Sequence, residues 1–342
     1  MVYFRVDSND VIAGGHVMRC IALASYLKKN GAKVQFLVAD DNPVSVLKQY
    51  QMDYRVLNTD WKNLESDKNF VLNLLKSEKK SILIIDTYRV TKEYVEALAP
   101  FCKIVYLGSK PEYLGPLNLL INYSANIDYD FYRDSYDKKT QLLLGPGYAP
   151  LREEFQNRNH LYLANIKKVL LTSGNTDPDD FLETVLDTIT AASISDQIIF
   201  EVVIGQMFKN KHKLHSKYDN NSHIVLLENV SSMSSLMEKC DLAISANGTT
   251  VYELSAMGIP TISFAMVDEQ IKSAEALSKM DVVDYCGCSF IDKRKCARQI
   301  LDRLIYYFNN NDQLIGLANR AHNLIDGNGC KKISNIIMNL EE

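Results

Sequence analysis

Ile12-Ala13-Gly14-Gly15-His16-Val17-Met18-Arg19-Cys20 follows shortly after the apolar run Met1-Val2-Tyr3-Phe4-Arg5-Val6. An apolar strand stops, a loop with two adjacent glycines follows, and a helix opens with His16 in its first turn. Glycine lets a ligand approach the backbone, because no Cβ stands in the way. The start of a helix offers unpaired N–H groups and the positive end of the helix dipole, which suits a phosphate or a developing anion. His16 adds a side chain that exchanges a proton near neutral pH. A strand–turn–helix in which the glycines only make the turn and the histidine only caps the helix fits the same letters.

The rhythm continues outward from that stretch. Residues 33–38, 81–85 and 103–107 read as strands, with helical stretches at 15–29, 43–51, 63–78 and 91–99. Short apolar runs alternating with longer amphipathic ones predict parallel β-α-β units with helices on both faces of the sheet. Residues 117–122 and 141–144 add short strands. Gly145-Pro146-Gly147-Tyr148-Ala149-Pro150 is rich in turn formers and marks a seam. A polar helix at 151–162 is expected next, and the rhythm then restarts. Lys168–Thr172 is a strand, with Asp177 as N-cap and Pro178 at the first helical position after it. Further strands are expected at 198–204, 223–227, 241–245 and 260–264, and residues 292–340 read as helical. The expected architecture is two doubly wound domains, 1–150 and 151–342, facing across a cleft, with ligands beyond the carboxyl ends of the strands.

At 342 residues, two domains are the natural division. A hydrophobic content of 46% with 23% charged residues is ordinary for a globular chain. The net charge of −4 argues against a general nucleic-acid surface. The seven cysteines are scattered and include no C-x-x-C, so free thiols in a reducing cytoplasm are expected rather than disulfides. No basic leader with an apolar core precedes the first strand, and no apolar run reaches membrane-spanning length. His212 and His215 lie among lysines on an exposed helix face, and His160, His223 and His322 lack metal-ligand spacing. No G-x-S-x-G elbow and no Walker-type phosphate loop is present.

A second constellation spans 241–258. An apolar strand ends at Ser245, and Asn247-Gly248-Thr249-Thr250 opens a helix that Gly258 closes. Hydroxyls and N–H groups at 248–250 suit a diphosphate without a metal, and Glu253 is placed to accept from ribose hydroxyls. A capped helix with an exposed glutamate is the plainer alternative. Ser173-Gly174-Asn175-Thr176 also follows a strand and opens a helix, as a phosphate clamp or an ordinary capping turn. Asp86-Thr87-Tyr88 ends a strand, where Tyr88 faces a ligand or packs as structure. Tyr148, Arg152, Glu153 and Glu154 lie by the seam, and the two glutamates read as a solvated hinge.

Taken jointly, these pieces resemble the UDP-sugar hydrolases of pseudaminic acid biosynthesis, which act on UDP-2,4-diacetamido-2,4,6-trideoxy-β-L-altropyranose. They are also similar to spore-coat polysaccharide biosynthesis proteins. The resemblance covers residues 2–285 and rests on Phe4–Asp7, Gly15–Cys20, Ile85–Tyr88, Leu143–Gly145, Tyr148–Phe155, Gly174, Thr176-Asp177 and Asp241–Gln270. The second half also looks like the donor-binding domain of the glycosyltransferase that makes lipid II. The resemblance implies the GT-B fold and a hydrolysis that needs no metal or cofactor. It makes His16 the general base toward water at the anomeric carbon and puts Tyr88 on the family's cleft tyrosine. Thr249, Thr250 and Glu253 fall on its nucleotide-binding stretch. With Gly14, Gly15, Arg19, Asp86, Tyr148, Arg152, Gly174, Asn175, Asn247, Gly248, Glu269 and Gln270 they form the candidate substrate site, for a UDP-sugar substrate and UDP product.

The chain departs from that pattern at four places. Ala13 and Asn175 replace glycines, Gly108-Ser109 replaces an acidic pair, and Glu269 stands where an asparagine is usual. Sugar recognition or activity is expected to differ accordingly. A GT-B glycosyltransferase passing the sugar to an alcohol, and a sugar-nucleotide-binding protein without turnover, are the competing readings. The helices beyond 290 are expected to buttress the first domain or to carry an oligomer contact.

Overall fold

The computed structural model describes residues 1–9, 14–78, 80–156 and 165–340. The chain divides into two compact units, Met1–Glu153 with Asn328–Glu342, and Glu154–Gly327. The first unit is built on seven parallel strands: β1 (Val2–Val6), β2 (Val34–Val38), β3 (Tyr54–Val56), β4 (Ile82–Asp86), β5 (Lys103–Leu107), β6 (Leu119–Asn122) and β7 (Gln141–Leu144). Their order is β3-β2-β1-β4-β5-β6-β7. Its helices are α1 (Gly15–Lys29), α2 (Val44–Gln49), α3 (Lys68–Ser77), α4 (Lys92–Leu98), α5 (Tyr129–Ser135) and, from the far end of the chain, the helix Gly329–Asn339.

Alternation along the strands sends side chains to two cores. Val2, Phe4 and Val6 join Ile82 and Ile84 on the face covered by α1. Tyr3, Leu83 and Ile85 join the opposite face, covered by α3 and α4. This is why the strands read as continuous apolar runs: a parallel sheet between two helix layers exposes neither face.

The second unit has six parallel strands: β8 (Lys168–Thr172), β9 (Ile199–Ile204), β10 (Ile224–Glu228), β11 (Leu242–Ala246), β12 (Thr261–Ala265) and β13 (Asp284–Cys288), in the order β10-β9-β8-β11-β12-β13. Its helices are α6 (Phe181–Thr190), α7 (Lys211–Tyr218), α8 (Met233–Met237), α9 (Thr249–Ala256), α10 (Asp268–Lys279), α11 (Lys293–Asn309) and α12 (Asn311–Leu324). The chain's last helix, Gly329–Asn339, is α13.

Three expectations need correcting, and two strands are added. The terminal helices do not all belong with residues 151–327: α13 seals the first unit, with Cys330, Ile333 and Ile337 buried in the α1-side core. Gly329 sits where a Cβ would lie 2.1 Å from the Ala149 carbonyl oxygen, so only glycine allows this approach. Of the polar helix expected at 151–162, the described residues contain only one short turn, Glu153–Phe155, and 157–164 lie outside them. Helix α6 begins at Phe181 rather than at Pro178, because Asp180 adopts a left-handed conformation (φ 50°) just before it. Strands β3 and β13 complete the sheets although neither is an apolar run.

Candidate active site

Both strand orders reverse direction at one place, and there the loops beyond neighbouring carboxyl ends diverge to leave a crevice. In the first unit that place lies between β1 and β4. The chain leaving β1 reaches α1, and β4 ends on Asp86, so the fold joins two stretches that lie seventy residues apart in sequence.

His16 Nδ1 lies 2.5 Å from Asp86 Oδ1. Arg19, one turn further along α1, donates from Nε to Oδ2 at 2.6 Å and from Nη2 to Oδ1 at 2.5 Å. Cys20 donates its S–H to Oδ2 at 3.3 Å. Arg19 Nη1 donates to the Tyr123 hydroxyl at 2.8 Å. Asp86 is buried, and burial pushes its carboxyl up. The Arg19 guanidinium and the hydrogen bonds from His16 and Arg19 outweigh this and hold it below the ordinary value. The carboxylate therefore stays charged and faces Nδ1, which places the neutral ring's proton on Nδ1 and leaves the Nε2 lone pair available. Among the described residues Nε2 has no hydrogen-bond partner.

Tyr88 packs edge-on against His16, ring centroids 5.5 Å apart, and is 52% exposed. Its hydroxyl lies 3.3 Å from Ser109 Oγ. Gly108 is held to glycine by its own fold, since a Cβ there would stand 2.5 Å from the Tyr106 hydroxyl. Asp7, His16, Trp61, Asp86, Thr87, Tyr88 and Arg89 line a cavity of about 100 Å³. That is below the roughly 300–1,000 Å³ of pockets that enclose a whole small molecule. A larger cavity of about 390 Å³ lies by Ser81 and Lys103, at the opposite, amino end of β4 and β5. It holds none of these groups.

Asp7, Trp61, Arg89 and Tyr123 escape the sequence reading as site residues. Asp7 is fixed from below: its Oδ2 accepts from Arg5 Nη1 at 2.6 Å and its Oδ1 from the Ala39 N–H at 2.8 Å. Arg5 is fully buried and also donates to Asp67 at 2.7 Å, and Tyr94 donates to the same carboxylate at 2.8 Å. The polar residue inside an otherwise apolar β1 was the available signal. Gly14 and Gly15 are exposed, and a Cβ on either would meet nothing within 4 Å. Among the described residues, no packing requires glycine at either position.

In the second unit the reversal lies between β8 and β11, and the loops after these strands are the two glycine turns singled out above. Gly248 leads into α9, whose start has no side-chain cap and no acidic residue in its first turn. Thr249 is exposed, and Thr250 and Glu253 are half-buried. Asn247 is buried, and its Oδ1 has no hydrogen-bond partner among the described residues. Gln270 is turned to the backbone, accepting from the Met266 N–H at 2.8 Å, and Glu269 is exposed in the first turn of α10. Gly174 has φ +85°, a conformation that favours glycine. Asn175 braces that loop: its Oδ1 accepts from Gln206 N–H at 3.2 Å and its carbonyl from Met207 N–H at 3.1 Å. Tyr148 packs on the first unit's core, and Arg152 is half-buried. Ala13 and His160 lie outside the described residues. His215 is a surface ion-pair residue, 2.9 Å from Asp219 and 3.0 Å from Glu228. Among the described residues no group of three or more His, Cys, Asp or Glu side chains is placed to hold a metal ion, and no helix is long and apolar enough to cross a membrane.

With this geometry in view, the full chain is similar to solved structures of glycosyltransferases. Acinetobacter baumannii MurG superposes with a TM-score of 0.69 at 12% identity, covering 99% of each chain. The spinosyn rhamnosyltransferase SpnG does so at 0.65 and 13%, covering 100% of each. The fold is GT-B. A family described as "Protein of unknown function (DUF354)" matches residues 147–277. The uncharacterized protein MJ1062 of Methanocaldococcus jannaschii is 26% identical over 268 residues, 75% of this chain and 54% of its own length. The chain thus spans about half the length of that relative. The spore coat polysaccharide biosynthesis protein SpsG of Bacillus subtilis is 22% identical, over 96% of this chain and 95% of its own. The UDP-2,4-diacetamido-2,4,6-trideoxy-β-L-altropyranose hydrolase of Campylobacter jejuni is 25% identical, over 81% and 96% respectively.

Proposed function

We propose that the chain hydrolyses a UDP-activated diacetamido-trideoxy sugar to free sugar and UDP, without a metal, in the making of a nonulosonic acid or related polysaccharide. The observation that carries this reading is the His16–Asp86 pair at the strand-order reversal of the first unit. Asp86 fixes the ring so that Nε2 faces outward as a base. A water held there loses its proton to Nε2 as its oxygen bonds to the anomeric carbon, and the bond from that carbon to the phosphate oxygen breaks. Arg19 keeps Asp86 ionised and in place, and Tyr88 and Trp61 border the sugar. In the second unit the N–H groups and hydroxyls of Gly248, Thr249 and Thr250 receive the leaving diphosphate, and the unpartnered Asn247 oxygen faces a ligand donor. Glu253 takes the ribose. The similarity to the Campylobacter jejuni hydrolase and to SpsG supports the substrate class.

UDP release from UDP-2,4-diacetamido-2,4,6-trideoxy-β-L-altropyranose, with EDTA present and no acceptor, is the direct test, with UDP-N-acetylglucosamine as control. Release from the first alone is expected. His16→Asn is expected to abolish turnover and leave UDP binding intact. Release that appears only when an alcohol acceptor is added would make the chain a transferase, and UDP binding without turnover on any such sugar would make it a binding protein.

A further inference from the structure

The chain carries a net charge of −4, yet one segment of the second unit concentrates the opposite sign. After β13 the chain is anchored by Ser289, whose N–H and hydroxyl both donate to the Ala265 carbonyl, at 2.9 and 3.2 Å. Phe290 and Ile291 then stand at the tip of the turn, 40% and 70% exposed. Ile291 is the most exposed large apolar side chain among the described residues. Lys293, Arg294, Lys295 and Arg298 follow within the first two turns of α11.

These cations are unlike the others nearby. On α7, Lys211, Lys213 and Lys217 each face a carboxylate. The side chains of Arg294, Lys295 and Arg298 have no ion pair or hydrogen bond among the described residues, and Lys293 Nζ donates to the Asp179 carbonyl at 2.6 Å. Two carboxylates beside them are engaged. Asp292 accepts the Lys295 N–H at 2.9 Å as the helix cap. Asp187, which lines the same hollow of about 370 Å³ with Thr184, Thr188, Arg294 and Arg298, is paired with Lys217 and Tyr218. Unneutralised cations beside an exposed aromatic–aliphatic pair have no packing purpose in the unit itself. The combination matches an anionic lipid surface, where apolar side chains enter the headgroup layer and lysines and arginines face its phosphates.

We propose that residues 290–298 dock the second unit on an anionic membrane surface, Phe290 and Ile291 inserting and Lys293, Arg294, Lys295 and Arg298 meeting the headgroups. The inference is independent of the reaction proposed above. Each basic residue near such a surface is worth about five-fold in partitioning at moderate salt.

Flotation of the full chain with phosphatidylcholine–phosphatidylglycerol vesicles, and with pure phosphatidylcholine vesicles, tests it. Binding to the anionic vesicles alone, weakened by salt, is expected. Arg294→Gln with Arg298→Gln should lower partitioning roughly 25-fold. Phe290→Ser with Ile291→Ser should lower it by about ten-fold or more while keeping the salt dependence. All four changes are on the surface, so unchanged melting confirms folded variants. No flotation, or flotation that both double variants leave unchanged, would overturn the proposal. So would binding of inorganic pyrophosphate that needs Arg294 and Arg298 without any binding to vesicles, which would make the hollow a site for a free anion.

Discussion

Asp86 accepts from His16, Arg19 and Cys20 at once, so one side chain carries the charge balance of the whole His16 pair. Replacing it by asparagine keeps the shape but puts an amide where an acceptor is needed, and the ring proton then has no reason to stay on Nδ1. Asp86→Asn should lower kcat by about 10²–10⁴-fold, the range of general-base effects, with UDP affinity unchanged. Steady-state rates beside UDP titration separate this from unfolding. The same residue predicts an acid limit. A carboxyl whose native pKa lies below its unfolded value binds fewer protons when folded. It stabilises the fold above the unfolded value of 3.8 and loses that contribution as pH falls through its lower native pKa. Thermal melting followed from neutral pH into that range should show the loss, and Asp86→Asn should flatten it. The sequence displayed His16, in the first turn of a helix, and Asp86, at the end of an apolar strand, separately. Their pairing was not legible, because it depends on β1 and β4 being neighbours, a fact of strand order rather than of local pattern. Trp61 and Arg89 were hidden for the same reason, since neither sits in a motif.

At the scale of elements, legibility followed apolar letters: even the partly exposed edge strands β7 and β10 read as strands. Strands β1, β4, β5, β8, β11 and β12 lie inside their sheets and announce themselves as apolar runs. The edge strands β3 (Tyr-Arg-Val) and β13 (Asp-Tyr-Cys-Gly-Cys) are not apolar runs, so their letters carry less signal. The start of α6 misled in a different way. Asp177 does cap, but from a distance: its two oxygens accept from Phe181 and Leu182 N–H, both at 2.9 Å, across an extra turn of chain. Asp177→Ala should cost about 1–2 kcal/mol, read from urea unfolding. The turn before it has a second, less visible support. A Cβ on Gly205 would lie 2.4 Å from the Asn175 carbonyl oxygen and 2.5 Å from that of Gly174. Both are backbone atoms and cannot swing away. Gly205→Ala should therefore destabilise by about 1–3 kcal/mol and displace the 174–175 turn. If that turn borders the nucleotide, UDP affinity falls with it; affinity unchanged at equal destabilisation would remove the turn from the site.

Across the whole molecule, the chain returns to where it began. α13 lies against α1, the helix that carries His16 and Arg19, and Asn30 at the end of α1 donates to Ser334 at 2.9 Å. Cys330 reaches back to the Leu151 carbonyl at 3.3 Å. The terminal helix therefore holds one side of the His16 scaffold, buttressing the first unit although the expected bounds 151–342 grouped it with the second. Ile333 and Ile337 are fully buried, and together they are worth about 4 kcal/mol in apolar burial. A chain ending at residue 327 should lose that support from the first unit alone. Trp61 is the chain's single tryptophan and belongs to the first unit, so its fluorescence reports on that unit without interference. The shortened chain should show an earlier Trp61 transition and greatly reduced turnover, while UDP binding, proposed above for Asn247–Thr250 and Glu253 in the second unit, persists. An unmoved Trp61 transition would mean that α13 adds little to the first core. A loss of UDP binding together with the Trp61 shift would mean that the two units do not hold their structures independently, and that the nucleotide seat needs the first unit intact.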